Sequence, residues 1–399
     1  MSTIVLAFSG GLDTSVAIGW LKDKLGYERV IAMAADVGQG VDAEFLVERG
    51  TACGADDVLV VDARDEFAQE FAARALVANA LYMGKYPLVS ALSRPLIAKH
   101  LVRVAREAGA KAIAHGCTGK GNDQVRFEVA TAALAPDLVS VAPVRDAGLT
   151  RDAAIAYAEE RRLPVPVTKA SPYSIDENLW GRTAECGVLE DPWSTPPADA
   201  YAWTADPEAA TSDTMTIAFE RGLPVAIDGR SLGLADLIEE VGRRAGAAGV
   251  GRIDMIEDRL VGIKSREVYE VPAAMTLIAA HRDLEDLTLE RSLARFKRGL
   301  EETYADLVYN GLWFSPLRRA LDAFIDESQR HVTGEVRVRV SHGQAVVEGR
   351  RGPQALYDHD LATYEAADAF DHAAAKGFIE LWGLPLRVWA ATQDGGADA

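Results

Sequence analysis

Residues 9–15, SGGLDTS, have the composition of a phosphate-binding loop. They follow an apolar run at residues 4–8 and precede a helical pattern, so they lie where a strand turns into a helix. Gly10 and Gly11 let backbone N–H groups approach a ligand closely. The first turn of a helix attracts anions through its free N–H groups and its dipole. Hydroxyl groups add further hydrogen-bond donors, from Ser9, Thr14 and Ser15.

The loop differs from two common phosphate-binding motifs. It contains no lysine and no G-x-x-x-x-G-K-[ST] pattern, and it lacks the G-x-G-x-x-G spacing of dinucleotide-binding folds. The alternative is a structural glycine turn in which a serine or an aspartate caps the helix. A cap needs neither two glycines nor three hydroxyl groups, so we favour an anion site.

Alternating strand and helix patterns over the first 165 residues position this loop. Buried strands are predicted at residues 4–8, 30–35, 58–61, 112–114 and 138–142. Helices are predicted at about residues 13–25, 42–53, 65–79, 93–109 and 123–135. This alternation predicts an α/β domain with a parallel sheet covered on both faces. Ligands bind such sheets beyond the carboxyl ends of the strands, where residues 9–15 lie.

The second half of the chain has a mixed pattern. Prolines at 164, 166 and 172 end the alternation, so we expect a domain boundary there. A loop-rich stretch follows, and then strands and helices in mixed order, which indicates an α+β domain. The expected elements are a strand at 214–220, a turn at 228–229, helices near 233–246, 291–309 and 316–331, a hairpin at 334–350, and a final helix from 365 to about 381.

Composition narrows the class of protein. The chain has 399 residues, enough for two domains or more, and a formal net charge of −18. Since nucleic-acid binding draws on basic surfaces, this charge disfavours a nucleic-acid partner and favours small substrates. No apolar run approaches a membrane span. Three cysteines without a C-x-x-C pair disfavour disulfides and structural zinc and fit a cytoplasmic location; they are Cys53, Cys117 and Cys186.

The loop S-G-G-x-D-[ST]-[ST] resembles the PP-loop of ATP pyrophosphatases. Further stretches resemble one family of that superfamily, the argininosuccinate synthases, nearly from end to end. They are AADVGQG (34–40), SRPLIAKHLV (93–102), HGCTGKGNDQVRFE (115–128), the stretch 169–193, GVGRIDMIEDRLVGIKSREVYEVPAA (249–274), TGEVRVRV and GFIELWGLPLRV.

This resemblance implies an enzyme, a ligase that forms a C–N bond. Citrulline, aspartate and ATP would give argininosuccinate, AMP and pyrophosphate through citrullyl-AMP. It also implies an ATP-binding PP-loop domain at 1–168, a synthetase domain at 169–364, and a C-terminal helix and tail at 365–399 that join subunits of a cytoplasmic homotetramer. Mg²⁺ would accompany ATP, with Asp13 helping to hold it. No His, Cys and carboxylate cluster has metal-ligand spacing, so no separate metal site is expected.

The resemblance also assigns candidate site residues. Asp13 and Asp123 are the catalytic candidates. ATP would contact Ala7, Phe8, Ser9, Gly10, Gly11, Leu12, Asp13, Thr14, Ser15, Ala35 and Gly116. Aspartate would contact Thr118, Asn122 and Asp123. Citrulline would contact Tyr86, Asn122, Arg126, Ser174, Thr183, Glu257 and Tyr269, with Arg126 offering its guanidinium fork to the citrulline carboxylate.

Two positions depart from the family pattern. Thr183 stands where a serine is expected and keeps the hydroxyl group. Ala91 stands at another expected serine; Ser90 lies beside it, but neighbouring residues need not point alike, so its role is left open. His115 invites a general-base role, yet a ureido oxygen needs little activation, so we favour a structural or nucleotide-contacting histidine.

Two other functions remain as alternatives. An RNA-modifying PP-loop enzyme that transfers sulfur would need reactive cysteines and a basic surface, and the cysteines here sit in no thiol-exchange motif. A nucleotide sensor without catalysis would be expected to carry a damaged phosphate loop, whereas SGGLDTS is complete.

Overall fold

Five strands near the amino terminus form a parallel sheet in the order β3-β2-β1-β4-β5. The computed structural model describes residues 2–40, 42–146, 149–165, 173–364 and 369–393. The strands are β1 (Thr3–Ala7), β2 (Arg29–Asp36), β3 (Asp57–Asp62), β4 (Ala112–Ala114) and β5 (Val139–Val141). Their bounds lie within one residue of the predicted ones at every end, and the α/β class is confirmed.

Helices cover both faces of this sheet. Ile4 and Leu6 point into one buried cluster and Val5 into another, since side chains alternate along a strand. The helices are α1 (Leu12–Asp23), α2 (Ala43–Ala52), α3 (Arg64–Glu66), a π-helical turn (Phe67–Ala72), α4 (Ala73–Val77), α5 (Val89–Glu107), α6 (Asp123–Leu134), α7 (Pro143–Asp146) and α8 (Arg151–Arg161).

Helix α5 begins four residues before the predicted start at residue 93. The prediction placed Pro95 in the first turn, where proline is tolerated. In the structure Pro95 lies inside the helix, and the start at Val89 is fixed by Leu88, which has a left-handed backbone conformation with φ +70°. Both Leu88 and Pro95 are buried. The earlier start places Ser90 in the first turn of α5.

Two antiparallel sheets follow. One has the order β11-β12-β7-β6, and the other has the order β10-β9-β8-β13-β14. The strands are β6 (Ser174–Asn178), β7 (Gly181–Glu185), β8 (Asp213–Glu220), β9 (Leu223–Ile227), β10 (Arg230–Ser231), β11 (Arg252–Asp258), β12 (Lys264–Glu270), β13 (Gly334–Ser341) and β14 (Gln344–Arg351).

Helices pack beside these sheets. The predicted helix at 291–309 and the hairpin at 334–350 are confirmed; the hairpin turns at His342 and Gly343, whose φ angles are positive. The four-stranded sheet and helix α10 were not predicted. The helices are α9 (Leu234–Ala247), α10 (Pro272–Thr288), α11 (Arg291–Tyr309) and α12 (Pro316–Ser328), with short 3₁₀ turns at Gly187–Glu190, Ala198–Ala200 and Gln329–His331.

The chain separates into two units, residues 1–354 and residues 355–399. The second unit contains α13 (His359–Ala362), α14 (His372–Trp382) and α15 (Leu384–Thr392). The helix predicted from residue 365 to about 381 therefore starts too early, whereas its predicted end lies within one residue of Trp382, the last residue of α14. Asp371 caps α14 by accepting hydrogen bonds from Ala373 N and Ala374 N, so the helix begins at 372, and it ends at Gly383. Residues 365–368 and 394–399 lie outside the described residues.

The expected boundary between residues 168 and 169 also lies outside the described residues, so the three-domain division stays a prediction. Among the helices that the structure describes, none is long and apolar enough to cross a membrane.

Candidate active site

A cavity of about 730 Å³ in the first unit has two walls. One wall comes from the carboxyl ends of β1, β2 and β4 and the loops that follow them. The other comes from one face of the four-stranded antiparallel sheet. Sixteen of the candidate residues line it: Ala7, Phe8, Ser9, Thr14, Ala35, Tyr86, Ser90, Gly116, Thr118, Asn122, Asp123, Arg126, Ser174, Thr183, Glu257 and Tyr269.

The glycine loop is held by its own hydroxyl groups. Ser9 N donates to Thr14 Oγ1 at 3.3 Å, the two hydroxyl oxygens lie 3.1 Å apart, and Thr14 Oγ1 donates to Gly11 O at 3.3 Å. Gly10 has φ +74°, and a Cβ there would lie 2.5 Å from Leu46 Cδ2, so only glycine fits. The loop is thus preformed at the start of α1, which suits an anion.

Five of the predicted ATP contacts do not line the cavity: Gly10, Gly11, Leu12, Asp13 and Ser15. Leu12 packs in the apolar cluster on one face of the sheet, and Ser15 is fully buried beside the Cys53 thiol. Asp13 lies in the first turn of α1; a Cβ on Gly116 would be 3.9 Å from its Cβ. Asp13 therefore faces the loop after β4, whereas the side chains of Leu12 and Ser15 point away from any ligand in the cavity.

Alternation along the strands puts polar side chains on one face of the four-stranded sheet. Asp176 pairs with Thr183, and Thr183 pairs with Tyr269, so these three form one row across β6, β7 and β12. Ser174 and Glu185 form the next row. Asp176, Glu185 and Glu267 also line the cavity, and none of them was predicted as a site residue. The period of two in SIDEN and GRTAE was the available signal.

Thr183 Oγ1 and Glu257 Oε2 are buried in this face without a hydrogen-bond partner among the described residues. Both residues line the cavity. A polar ligand bound in the cavity would give both atoms the partner that buried polar atoms nearly always have. Thr183, where the family pattern has serine, thus keeps a hydroxyl group available to the cavity.

Tyr86 and Ser90 form one contact group on the opposite side. Tyr86 stacks on Tyr269 with ring centroids 4.2 Å apart, and its hydroxyl oxygen lies 3.1 Å from Ser90 Oγ. Ser90 Oγ also accepts from Arg126 Nη1 at 3.3 Å. Ala91 is buried in the core. Ser90 therefore faces the cavity where Ala91 does not, and its role in binding stays a prediction.

Asp123 lies between two arginines. Its Oδ1 accepts from Arg126 Nη1 at 2.9 Å, and its Oδ2 accepts from Arg94 Nε at 2.8 Å. Arg94 also pairs with Asp176. Burial alone would raise the pKa of Asp123, but the two guanidinium charges lower it overall, so the carboxylate is ionised. Arg94 was not predicted as a site residue, although it lies inside the stretch 93–102.

The Arg126 guanidinium already donates hydrogen bonds to other residues of the protein. Besides Asp123 and Ser90, it contacts the chain through Nε, which donates to Tyr309 O at 3.1 Å. The side chain is 3% exposed. A carboxylate in the cavity would meet the Nη edge of this guanidinium rather than both Nε and Nη.

His115 is buried and neutral. Cys117 N donates to His115 Nδ1 at 3.3 Å, so the imidazole proton is on Nε2, which lies 3.2 Å from Glu128 Oε1. Burial lowers the pKa of His115 despite the nearby Glu128. With one nitrogen accepting and the other donating inside the protein, this geometry favours a structural role.

Glu257 carries a proton at neutral pH. The Tyr269 hydroxyl oxygen lies 2.8 Å from Glu257 Oε1 and 2.7 Å from Glu267 Oε2, but a hydroxyl has one proton for two carboxylates. Glu267 is also paired with Arg259 at 3.1 Å. Glu257 is therefore the protonated partner, and burial, followed by the Glu267 charge, raises its pKa to about 8.

Glu257→Gln is expected to flatten the pH dependence of stability. Because the folded pKa is about 8 and the unfolded pKa is ~4.3, the folded state binds the extra proton between these values. The contribution of this proton to the free energy of unfolding is complete below the unfolded pKa and is lost as pH rises through about 8. Between the two pKa values, the free energy of unfolding falls by up to ~1.4 kcal/mol per pH unit. Glutamine mimics the protonated form, so the variant should gain stability relative to wild type as pH rises from 6 to 8.5.

Urea unfolding at several pH values measures this effect. Glu48→Gln, at an exposed position, is the control and should follow wild type. If Glu257→Gln and wild type lost stability in parallel up to pH 8.5, Glu257 would be ionised in the folded protein.

No group of three or more His, Cys, Asp or Glu side chains among the described residues could hold a metal ion. One carboxylate beside a phosphate-binding loop still suits Mg²⁺, which binds through one or two carboxylates together with substrate phosphates. Asp13, the acidic residue in the first turn of α1, has the chemistry for that role.

Two known domain families match this chain. Residues 3–164 match the family described as Arginosuccinate synthase N-terminal HUP domain, and residues 173–389 match the one described as Arginosuccinate synthase C-terminal domain. Together the two matches cover nearly the whole chain.

Two solved structures are distantly similar. The U34-tRNA thiolase NcsA from Methanococcus maripaludis, solved with its [4Fe-4S] cluster, is 18% identical over 43% of this chain and 60% of that chain, with a TM-score of 0.27. A predicted subunit of tRNA methyltransferase from Methanocaldococcus jannaschii is 15% identical over 40% of this chain and 77% of that chain, also with a TM-score of 0.27. TM-scores this low give no information about function. This chain spans 60% of the length of the thiolase chain.

Proposed function

Because the chain belongs to the argininosuccinate synthase family, ligases that join citrulline to aspartate through a C–N bond with cleavage of ATP, we propose that its cavity carries out this condensation. The observation that carries the proposal is the composition of the cavity. It combines a preformed anion loop with a wall of orphaned polar atoms and ionised side chains. A nucleotide alone would not need the second wall.

In the first step, the ureido oxygen of citrulline attacks the α-phosphorus of ATP. A new P–O bond forms, and the bond to pyrophosphate breaks. Negative charge grows on the leaving pyrophosphate, next to the N–H groups at the start of α1. Donors fixed before the reaction stabilise that charge without reorganisation. Ser9 and Thr14, whose hydroxyl groups already hold the loop, keep these donors in place.

In the second step, the aspartate amine attacks the ureido carbon of citrullyl-AMP, and AMP leaves. Asp123 is ionised and accepts hydrogen bonds from amine and ureido N–H groups, so it can orient both substrates. Thr118 and Asn122 add donors for the aspartate carboxylates. Tyr86, Ser174, Thr183, Glu257 and Tyr269 would surround citrulline, and Arg126 would meet its carboxylate.

Bound Mg²⁺ would neutralise charge on the ATP phosphates, and Asp13 would hold it on the protein side. We also propose that the chain acts in the cytoplasm and assembles into homotetramers. Large apolar side chains exposed on α14 and α15 support assembly: Phe378, Ile379, Leu381, Trp382, Leu386 and Trp389. Light scattering of the purified chain tests the oligomeric state.

Exchange of labelled pyrophosphate into ATP is expected to depend on citrulline. Because the first step is reversible and needs no aspartate, citrullyl-AMP and labelled pyrophosphate should regenerate labelled ATP. Ornithine is the matched control, since it lacks the ureido oxygen and should support no exchange. Exchange that required tRNA would instead indicate an RNA-modifying enzyme, and no exchange with any amino acid would indicate a nucleotide sensor.

A further inference from the structure

Tyr309 lies behind the cavity wall and outside the cavity lining. It is the last residue of α11 and is fully buried. Its hydroxyl oxygen accepts a hydrogen bond from Asn122 Nδ2 at 2.8 Å, and its backbone carbonyl accepts one from Arg126 Nε at 3.1 Å. One residue thus contacts two side chains that line the cavity.

The contacts of Asn122 fix which way its amide points. Leu260 N can only donate, and it lies 2.9 Å from Asn122 Oδ1, so that atom is the amide oxygen. The nitrogen Nδ2 then faces Tyr309, which takes one of its two hydrogens. The second hydrogen remains for the cavity that Asn122 lines. Asn122 therefore offers the substrates a donor.

The same segment fixes Arg126. Its guanidinium lies over the Tyr309 ring, 5.0 Å from the centroid, which adds a cation–π contact to the bond through Nε. Two residues further on, Gly311 has φ +76°, and a Cβ there would lie 3.1 Å from Arg126 Cα. The chain after α11 thus approaches the backbone of α6 closely.

Tyr309 itself has little freedom. Its ring stacks on Tyr82 with centroids 3.5 Å apart and planes 6° apart. Along α11, buried Lys297 pairs with Glu285 at 3.0 Å and with Glu301 at 3.5 Å. The pair with Glu285 joins α11 to α10, whereas the pair with Glu301 lies within α11.

We propose that Tyr309 is a positioning residue for both amino-acid substrates, acting through Asn122 and Arg126. Its hydroxyl group holds the Asn122 amide so that one N–H points into the cavity. Its carbonyl and ring hold the Arg126 guanidinium so that the Nη edge faces the cavity. The identity of the two substrates rests on the proposed function; the contacts do not.

Tyr309→Phe tests the hydroxyl group while keeping the ring and the carbonyl. We expect the KM for aspartate to rise by about 2- to 12-fold, the range for one hydrogen bond, with a smaller rise for citrulline. The KM for ATP should stay within about twofold. Tyr304→Phe is the matched control, because Tyr304 is buried on the same helix and donates to Asp322 Oδ1 at 2.9 Å, away from the cavity. It should lower stability without changing any KM.

A double-mutant cycle separates positioning from general loosening. If the hydroxyl group acts through Asn122, then Tyr309→Phe should change the aspartate KM little in an Asn122→Ala background. Equal effects of Tyr309→Phe in both backgrounds, or a rise in the ATP KM as large as that for aspartate, would overturn the proposal.

Calorimetric binding of citrulline and aspartate to the same variants, in the presence of a non-hydrolysable ATP analogue, gives a readout that does not need turnover. A wild type that binds both amino acids in this assay but does not condense them when given ATP and Mg²⁺ would overturn the proposed function, and the Kd ratios would still decide the role of Tyr309. A wild type that binds neither amino acid would overturn both.

Discussion

Asp13→Asn is expected to lower turnover by about 100- to 1,000-fold, the loss typical when one preorganised electrostatic group is removed from a reaction site. Asp13 lies in the first turn of α1 beside the loop proposed to hold pyrophosphate. A carboxylate there repels phosphate unless a cation lies between them. We expect that cation to be the Mg²⁺ that accompanies ATP.

The effect of Asp13→Asn on ATP affinity should have opposite signs without and with Mg²⁺. Without Mg²⁺, Asp13→Asn should bind ATP more tightly than wild type, because a negative charge has left the positive end of a helix. With Mg²⁺, the same variant should bind ATP less tightly and turn over slowly. Calorimetry with and without Mg²⁺, alongside rates of pyrophosphate release, measures both.

A second acid on the same helix provides the control. Asp23 lies at the other end of α1 and pairs with Arg161 at 2.7 Å. Asp23→Asn should leave the rate and the Mg²⁺ dependence unchanged. Asp13→Asn should cost only about 0.3–1 kcal/mol of stability through the helix dipole. Unchanged turnover in folded Asp13→Asn would remove Asp13 from the mechanism.

The parallel half of the fold was predictable because its strands are apolar on both faces. Ile4–Phe8 and the run from Val30 to Ala35 read as buried strands in the sequence and lie in the core of the sheet. The antiparallel hairpin at 334–350 was predictable for a different reason, the alternation of valines around a His-Gly turn. In both cases, residues that are close together in the sequence indicate which side chains are buried.

The four-stranded sheet was not predicted because one of its faces lines the cavity and carries polar side chains. Stretches such as SIDEN and GRTAE place polar side chains on the face that lines the site, so little apolar alternation remains to indicate a strand. The resemblance still led to Ser174, Thr183, Glu257 and Tyr269, since motif matching does not depend on strand prediction. It named the residues without the sheet that brings them together.

The contacts that position the site residues could not be predicted from a local sequence pattern. Asn122 and Tyr309 are 187 residues apart, and Leu260 N is 138 residues from the amide oxygen that it contacts. No periodicity links such positions, because the partners meet only after the second half of the chain packs on the first. Arg94 shows the same limit: its position in a helix was predicted, but its pairing with Asp123 and Asp176 was not.

Arg126→Ala is expected to raise the citrulline KM by about 10- to 100-fold, since a charge-assisted hydrogen bond contributes more than a neutral one. The ATP KM should change by less than about threefold, because Arg126 lies on α6, away from the glycine loop. Initial-rate kinetics with each substrate varied in turn measure the two effects. Equal changes for citrulline and ATP would mean that Arg126 does not meet the citrulline carboxylate.

Asp123 complicates that result, because Arg126→Ala also removes one of its two partners. Arg94→Ala removes the other partner and leaves the Arg126 guanidinium in place. If Arg126 acted only by supporting Asp123, the two variants would raise the aspartate and citrulline KM values alike. If Arg126 meets citrulline directly, its variant affects citrulline more than aspartate, whereas Arg94→Ala affects both to a similar degree. The ratio of the two KM changes thus separates contact with the substrate from support of a neighbouring carboxylate.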